Sequence, residues 1–358
     1  MKRRQFISSA TALGFSASLF GLSSRTAFAQ TAAPLDAVAE IKKLRINAGT
    51  FAGAYLIAPA GRINWYFINL GLLPMVQYLN AADLELYVRS YLDLTLGRRE
   101  TNMSIQDVNF TSDPTGTFSL VPSDSDDSYA STTLSLAARY LQASQNWYWW
   151  DVNKARLKDI AYFNLAMSVK PNGLTGVFQS KVQPNTSIGY LMDNCESYRG
   201  LRDYAALLRN RGAVTDANYF DSFATGIADR ISASLFDTSR SGFLASDAAT
   251  AAGTVFYADT TCQVFPQACG VSELSAYYTK GWDYLNRYSG GWENGVVGED
   301  FPWAVLGYVA AKRGDAAKAT TQLAMIDSRF VTNRGHVTIN ELGYYLRTRS
   351  VLAGRKDT

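Results

Sequence analysis

The sequence predicts an all-α protein whose helices pair into hairpins and close into an (α/α)6 toroid. Three observations predict it. Apolar residues recur at helical spacing along the whole chain beyond its first thirty or so residues. Two segments, Trp65 to Leu79 and Phe301 to Ala311, are apolar nearly all round, as a helix buried on every side must be. Each segment of that kind is followed, across a short Gly, Asn or Pro turn, by a more amphipathic one.

The chain opens with Met1-Lys2-Arg3-Arg4-Gln5-Phe6-Ile7, continues in small and apolar residues to Phe20, and reaches Ala27-Phe28-Ala29. A charged start, a short apolar region and an A-x-A end predict a removable export signal over residues 1–29. The Arg3-Arg4 pair makes it the twin-arginine version. The expectation is a periplasmic or secreted protein with no membrane contact after signal removal, formed by one toroid domain over 30–358.

A first helix is expected over 35–46, from Leu35, Val38, Ala39 and Ile41. Helix pairs follow over 64–79 with 82–96, 127–143 with 150–168, and 193–211 with 215–236. Two more are read over 255–268 with 272–288, where Pro266 interrupts the first member, and over 299–313 with 315–327. A last helix covers 339–352. If it pairs with the first, six buried helices close into a ring inside six outer ones. An open stack of helix pairs is the rival arrangement.

Composition narrows the chemistry. The formal charge is +3, but residues 1–29 carry Lys2, Arg3, Arg4 and Arg25 and no acid, so the mature chain falls to −1. Nothing in that balance advertises a nucleic-acid surface. His336 is the single histidine, which disfavours Ser-His and Cys-His nucleophiles and any Cys/His metal site. No metal or cofactor is expected. Cys262 and Cys269 flank a short Pro-containing segment and are read as a possible disulfide, which export permits; Cys195 is then a free, buried thiol. The sequence gives no indication of oligomeric state.

Acids gather where the inner helices are expected to start. Asp124, Asp126 and Asp127 precede Tyr129; Asp193 and Glu196 precede Tyr198; Glu299 and Asp300 precede Trp303; Asn340 and Glu341 open the last helix. Asp and Asn also cap helices and complement the helix dipole, so a structural use competes with a chemical one. In a toroid these starts converge on one face. Carboxylates crowded there have their pKa values pushed apart, leaving some protonated and some ionised. Glycoside hydrolysis needs that combination.

The Asp124-Ser-Asp126-Asp127-Ser-Tyr-Ala stretch, followed by Leu134 and Ala137-Ala138-Arg139, resembles the inner-helix starts of six-hairpin glycosidases. It is similar in particular to the Asp-rich helix start of the family 8 cellulases and chitosanases. Gly291-Trp292-Glu293, Glu299-Asp300-Phe301-Pro302 and Lys312-Arg313-Gly314-Asp315 share the flavour of these toroids. The Ser-Glu-Gly-type segment that supplies the family 8 general acid has no counterpart; Asn64-Trp65-Tyr66 stands in its place. Asp124-x-Asp126-Asp127 also spells the D-x-D-D motif of class II terpene cyclases, in which the residue matching Asp126 protonates an olefin, but their Q-x-x-x-G-x-W repeats are missing.

The resemblance implies a carbohydrate-active hydrolase, with a polysaccharide or oligosaccharide as substrate. Asp126, Asp127, Asp193, Glu196, Glu299 and Asp300 are the candidate catalytic residues, with Glu196 or Glu299 expected as general acid. Trp65, Tyr129, Tyr198, Trp292 and Trp303 are candidate sugar-stacking residues. Two alternatives stay open. One is a polysaccharide lyase using Tyr129 or Tyr198 with Asn194 and Arg199; the other is a non-catalytic glycan-binding protein.

Overall fold

A computed structural model describes residues 34–179 and 185–355. The expected export signal lies outside them. Residues from Asp36 onward form one compact unit, and no helix among the described residues is long and apolar enough to cross a membrane.

Five inner helices read directly from the apolar pattern: α2 (Trp65–Met75), α5 (Asp127–Ser144), α7 (Leu191–Asn210), α11 (Val305–Lys312) and α13 (Ile339–Leu352). The sixth inner position is taken by a broken run that ends in α9 (Phe265–Ala268). Contacts run α2 to α5, α5 to α7, α7 to α9, α9 to α11, α11 to α13, and α13 back to α2. The ring is closed. Outside it, α1 (Ala37–Lys43) packs on α13, α6 (Trp147–Asn164) on α5, α8 (Val214–Ser234) on α7, and α12 (Ala316–Thr332) on α11. The outer helix against α2 runs from α3 (Ala81–Asp83) through a π-helical turn into α4 (Ser90–Gly97). Its Tyr91 hydroxyl donates to Asn69 Oδ1 at 2.8 Å. The last outer helix, α10 (Tyr278–Tyr288), lies against the turn at Cys262–Val264.

The seam that closes the ring is made by backbone. A Cβ on Gly71 of α2 would stand 2.7 Å from the Ile339 carbonyl oxygen, and one on Gly343 of α13 would stand 2.5 Å from the Leu70 carbonyl oxygen. These distances leave no room for a methyl group, so the two helices approach more closely than side chains would allow.

Three expectations change. The helix expected over 255–268 is a π-helical turn (Phe256–Thr260), a 3-10 turn (Cys262–Val264) and then α9, which holds Pro266 in its first turn, where the missing N–H has no helical partner to lose. Residues 299–304 are not helical; α11 starts after Pro302 and Trp303, and Trp303 has φ +53°. Two short hairpins join the helices: β1 (Asp107–Phe110) pairs antiparallel with β2 (Phe118–Val121), and β3 (Phe236–Asp237) with β4 (Gly242–Phe243).

Candidate functional site

The acid in the cap position of α5 is not used as a helix cap. Asp126 occupies the cap position but makes no side-chain capping bond. Its Oδ2 accepts from the Gln179 backbone N–H at 3.1 Å, while its own N–H donates to Val177 O at 2.6 Å. Burial raises its pKa, against the pull of the Gln179 amide and the Arg99 guanidinium. It nevertheless keeps 8% of its surface exposed, whereas Asp127 keeps none. Asp127 Oδ1 accepts from the Ser128 N–H at 2.8 Å and Oδ2 from the Thr175 hydroxyl at 3.1 Å.

On α7, Asp193 in the first turn is wholly buried and Glu196 nearly so. The Tyr66 hydroxyl on α2 donates to Glu196 Oε1 at 2.5 Å. Since α5 stands between α2 and α7 in the ring, this bond crosses the ring interior, and the Glu196 carboxylate projects toward the axis.

Asp107, at the start of β1, was not among the sequence candidates. Its Oδ2 accepts from Asn64 Nδ2 at 2.7 Å and from the Tyr129 hydroxyl at 2.9 Å. Burial pushes its pKa up to about 7 despite the nearby Arg62. The Tyr129 ring stacks on Tyr66 at 5.9 Å, so the contacts run from Asp107 through Tyr129 and Tyr66 to Glu196. Tyr66 and Asp107 gave little signal beforehand. Tyr66 sits in a segment read as apolar core and named only as standing where the family 8 acid segment would be; Asp107 sits between two expected helices.

The remaining candidates part company with this group. Glu299 is half-buried and Asp300 exposed on the loop before α11, and neither carboxylate bonds to another described residue. Glu341 instead holds the start of α11, its Oε2 accepting from the Ala304 N–H at 2.5 Å.

The five stacking candidates are all buried. Trp65 packs on Tyr91 and its indole N–H donates to Gln106 O at 2.8 Å. Trp292 packs edge-on against Trp282 and donates to Asn286 at 3.2 Å. Tyr198 donates to Glu273 at 2.7 Å beneath Arg202, away from the axis. Trp303 lies against Tyr257, with ring centroids 4.8 Å apart. Tyr129 is tied to Asp107, and burial raises its pKa well above the phenol value.

The possible Cys262–Cys269 disulfide is also corrected: both thiols are free and buried, as is Cys195. Six residues lie between the pair: Cys262 opens a 3-10 turn and Cys269 follows the end of α9. Among the described residues no group of three His, Cys, Asp or Glu side chains could hold a metal ion.

Below the acids, an axial cavity of about 40 Å³ is lined by residues that include Asn69, Thr132, Glu196, Arg199, Cys269 and Arg347. It has room for a few water molecules but not for a sugar ring.

No family model matches the chain, and no curated protein matches it. Solved structures do. A rhamnosidase from Klebsiella oxytoca with rhamnose bound superposes with TM-score 0.61 at 10% identity, over 88% of this chain and 63% of that one. A GH78 family rhamnosidase of Bacillus sp. GL1 gives 0.55 at 14% identity, over 88% of this chain and 34% of that one. The fold is that of helical glycoside hydrolases. A GH76 α-mannanase of Bacteroides thetaiotaomicron adds 0.51 at 12% identity, over 89% of this chain and 94% of that one. The chain thus spans about a third of the Bacillus enzyme and under two thirds of the Klebsiella one, but nearly all of the mannanase. The likeness is one of fold, and it leaves family 8 without support of its own.

Proposed function

We propose that the protein is a glycoside hydrolase acting on a polysaccharide or oligosaccharide, with Asp126 as the general acid. The observation that carries this reading is the state of Asp126. It is a carboxyl at an inner helix start that caps nothing, has its pKa raised by burial, and keeps an exposed edge. A carboxyl whose pKa is raised is suited to deliver a proton to a glycosidic oxygen. Glu196, oriented by the Tyr66 hydroxyl and bordering a cavity that admits water, takes the part of the base. Asp127, fixed by Ser128 and Thr175, positions the helix start beside Asp126. The acid role moves from Glu196 or Glu299 to Asp126 because Glu299 stands apart on its loop.

The lyase alternative loses its groups. Tyr129 and Tyr198 both donate to carboxylates, and the Asn194 side-chain oxygen accepts from the Thr175 N–H.

The test is turnover by the mature chain on α-rhamnosides, α-mannans and a wider glycan panel. Release of reducing ends, abolished in Asp126→Asn, supports the reading. Full activity in that variant sinks the assignment of Asp126. Unsaturated products would mean a lyase, and binding without turnover a glycan-binding protein.

We also propose export by the twin-arginine route, on the strength of Arg3-Arg4 and Ala27-Phe28-Ala29. Replacing Arg3 and Arg4 together by Lys should leave unprocessed precursor in the cytoplasm. Unchanged processing would mean the general secretory route.

A further inference from the structure

The hairpin of β1 and β2 leaves one edge of its small sheet open. Its register sets Val108 opposite Leu120 and Phe110 opposite Phe118. The other side of β1 is covered, because Val108 exchanges both backbone bonds with Ile63, at 3.0 and 3.1 Å. Along an antiparallel strand, the N–H and C=O of successive residues point to opposite sides. Val108 spends its pair on Ile63, so Val108 and Leu120 face each other without ladder bonds, and so do Phe110 and Phe118. The Thr111 N–H donates to the Thr117 oxygen at 3.0 Å, in agreement with that alternation. The N–H and C=O of Phe118 and Leu120 therefore point away from β1. Among the described residues nothing bonds to them.

An open edge is a template for another strand, and proteins commonly blunt it with charge, proline or a bulge. β2 has none of these. No charged residue lies between Asp113 and Asp124, Pro122 comes only after the strand, and the register runs unbroken from Asp107 to Phe110. Phe118 and Leu120 also keep 37% and 53% of their surface exposed. The Phe118 ring meets Phe51 edge-on, with centroids 4.9 Å apart, which fixes its direction without burying it.

We propose that β2 is the surface through which two copies of this chain pair, antiparallel, about a two-fold axis at Ser119. That axis sets Phe118 of one copy opposite Leu120 of the other, on both sides of the centre. Each such pair can exchange both backbone bonds, so every open N–H and C=O of the two edges finds a partner. The facing Phe118 and Leu120 side chains lie on one face of the joined sheet, an aromatic–aliphatic contact of the kind that stabilises paired strands. A second copy suits this edge better than a foreign peptide because the pattern is its own complement, and because an uncharged strand does not repel its twin. Pairing covers the β2 edge of both copies, so assembly closes at two.

Sedimentation of the mature chain over a concentration series tests the pairing, and a monomer–dimer equilibrium is expected. Leu120→Pro deletes an N–H that points away from β1, so the hairpin keeps its own bonds; the dissociation constant should rise about tenfold or more. Ser119→Lys and Ser119→Asp alter an exposed side chain that meets its twin at the axis. Each alone should weaken the dimer through like charge, and an equimolar mixture of the two should restore it. A chain that is monomeric at every concentration overturns the proposal. So does a dimer that none of these changes affects. A monomer that takes up extended peptides, with amide exchange slowed at Phe118 and Leu120, overturns it too and assigns the edge to a peptide.

Discussion

Most helices outside the ring begin differently from those inside it, although α8 and α10 start without a side-chain cap. Outside, Asp36, Asn80, Asn146 and Asp315 each accept a hydrogen bond from the backbone N–H three residues on, at exposed or half-buried positions. Inside, α2 alone is capped by its own side chain, the neutral Asn64. The α5 start carries the buried Asp126, which makes no capping bond, and α7 begins at Tyr190 with no side-chain cap. An exposed capping acid stabilises its helix at little cost in solvation. A buried acid that does not cap adds a desolvation penalty with no such return. The same residue type at the same helical position therefore caps its helix at Asp36 and Asp315 and is left free of that task at Asp126.

Breaking the inner side of this contrast should produce the largest effect. Asp126→Asn is expected to lower turnover by about 10²–10⁴-fold, the range for loss of a general acid, while the thermal midpoint holds or rises. A fall in stability matching that of a capping variant would return Asp126 to the structural class.

Next comes Asp107. Its pKa rises from 3.8 to about 7 on folding, so between those values the folded chain binds more protons than the unfolded one. Stability then declines as pH increases from 4 to 7. Asp107→Asn removes the titrating group, and thermal melts across that interval should show a flatter dependence than wild type. An unchanged slope would place the titration elsewhere.

Glu341 is an inner acid that holds the start of the neighbouring helix. Glu341→Ala should cost about 1–3 kcal/mol in denaturant unfolding, the range for stranding a buried donor. The smallest effect belongs to the rim. Asp315→Ala should cost about 1 kcal/mol and leave turnover untouched. Any loss of activity there would blur the division between the two sets of helix starts.

Much of the ring could be read in advance because helical periodicity marks burial directly. The 339–352 helix agrees with α13, and α5, α7 and α8 agree within two residues at each end. The segments that escaped obey other rules. Pro266 and Pro302 shorten helices whose apolar pattern runs straight through them. Gly71 and Gly343 lie far apart in sequence, and nothing local announces that they touch. At the site, Asp126 and Asp127 stand out as a cluster at a helix start, whereas Asp107 is a single acid in a connection and acquires its partners only through the fold. Aromatic content misled in the opposite direction: Trp65 and Trp292 combine ring area with one N–H donor, which suits a core as well as a sugar subsite.

The seam between α2 and α13 also sets a schedule for synthesis. The ribosome makes α2, apolar on nearly every face, roughly 260 residues before α13. At translation rates of about 5–20 residues per second, its last neighbour is tens of seconds late. Until then the groove that receives Gly343 is open to water, and to any other apolar segment nearby. A nascent ring of this design invites chaperone cover throughout its elongation, and a variant that delays the final helix should aggregate before it misfunctions.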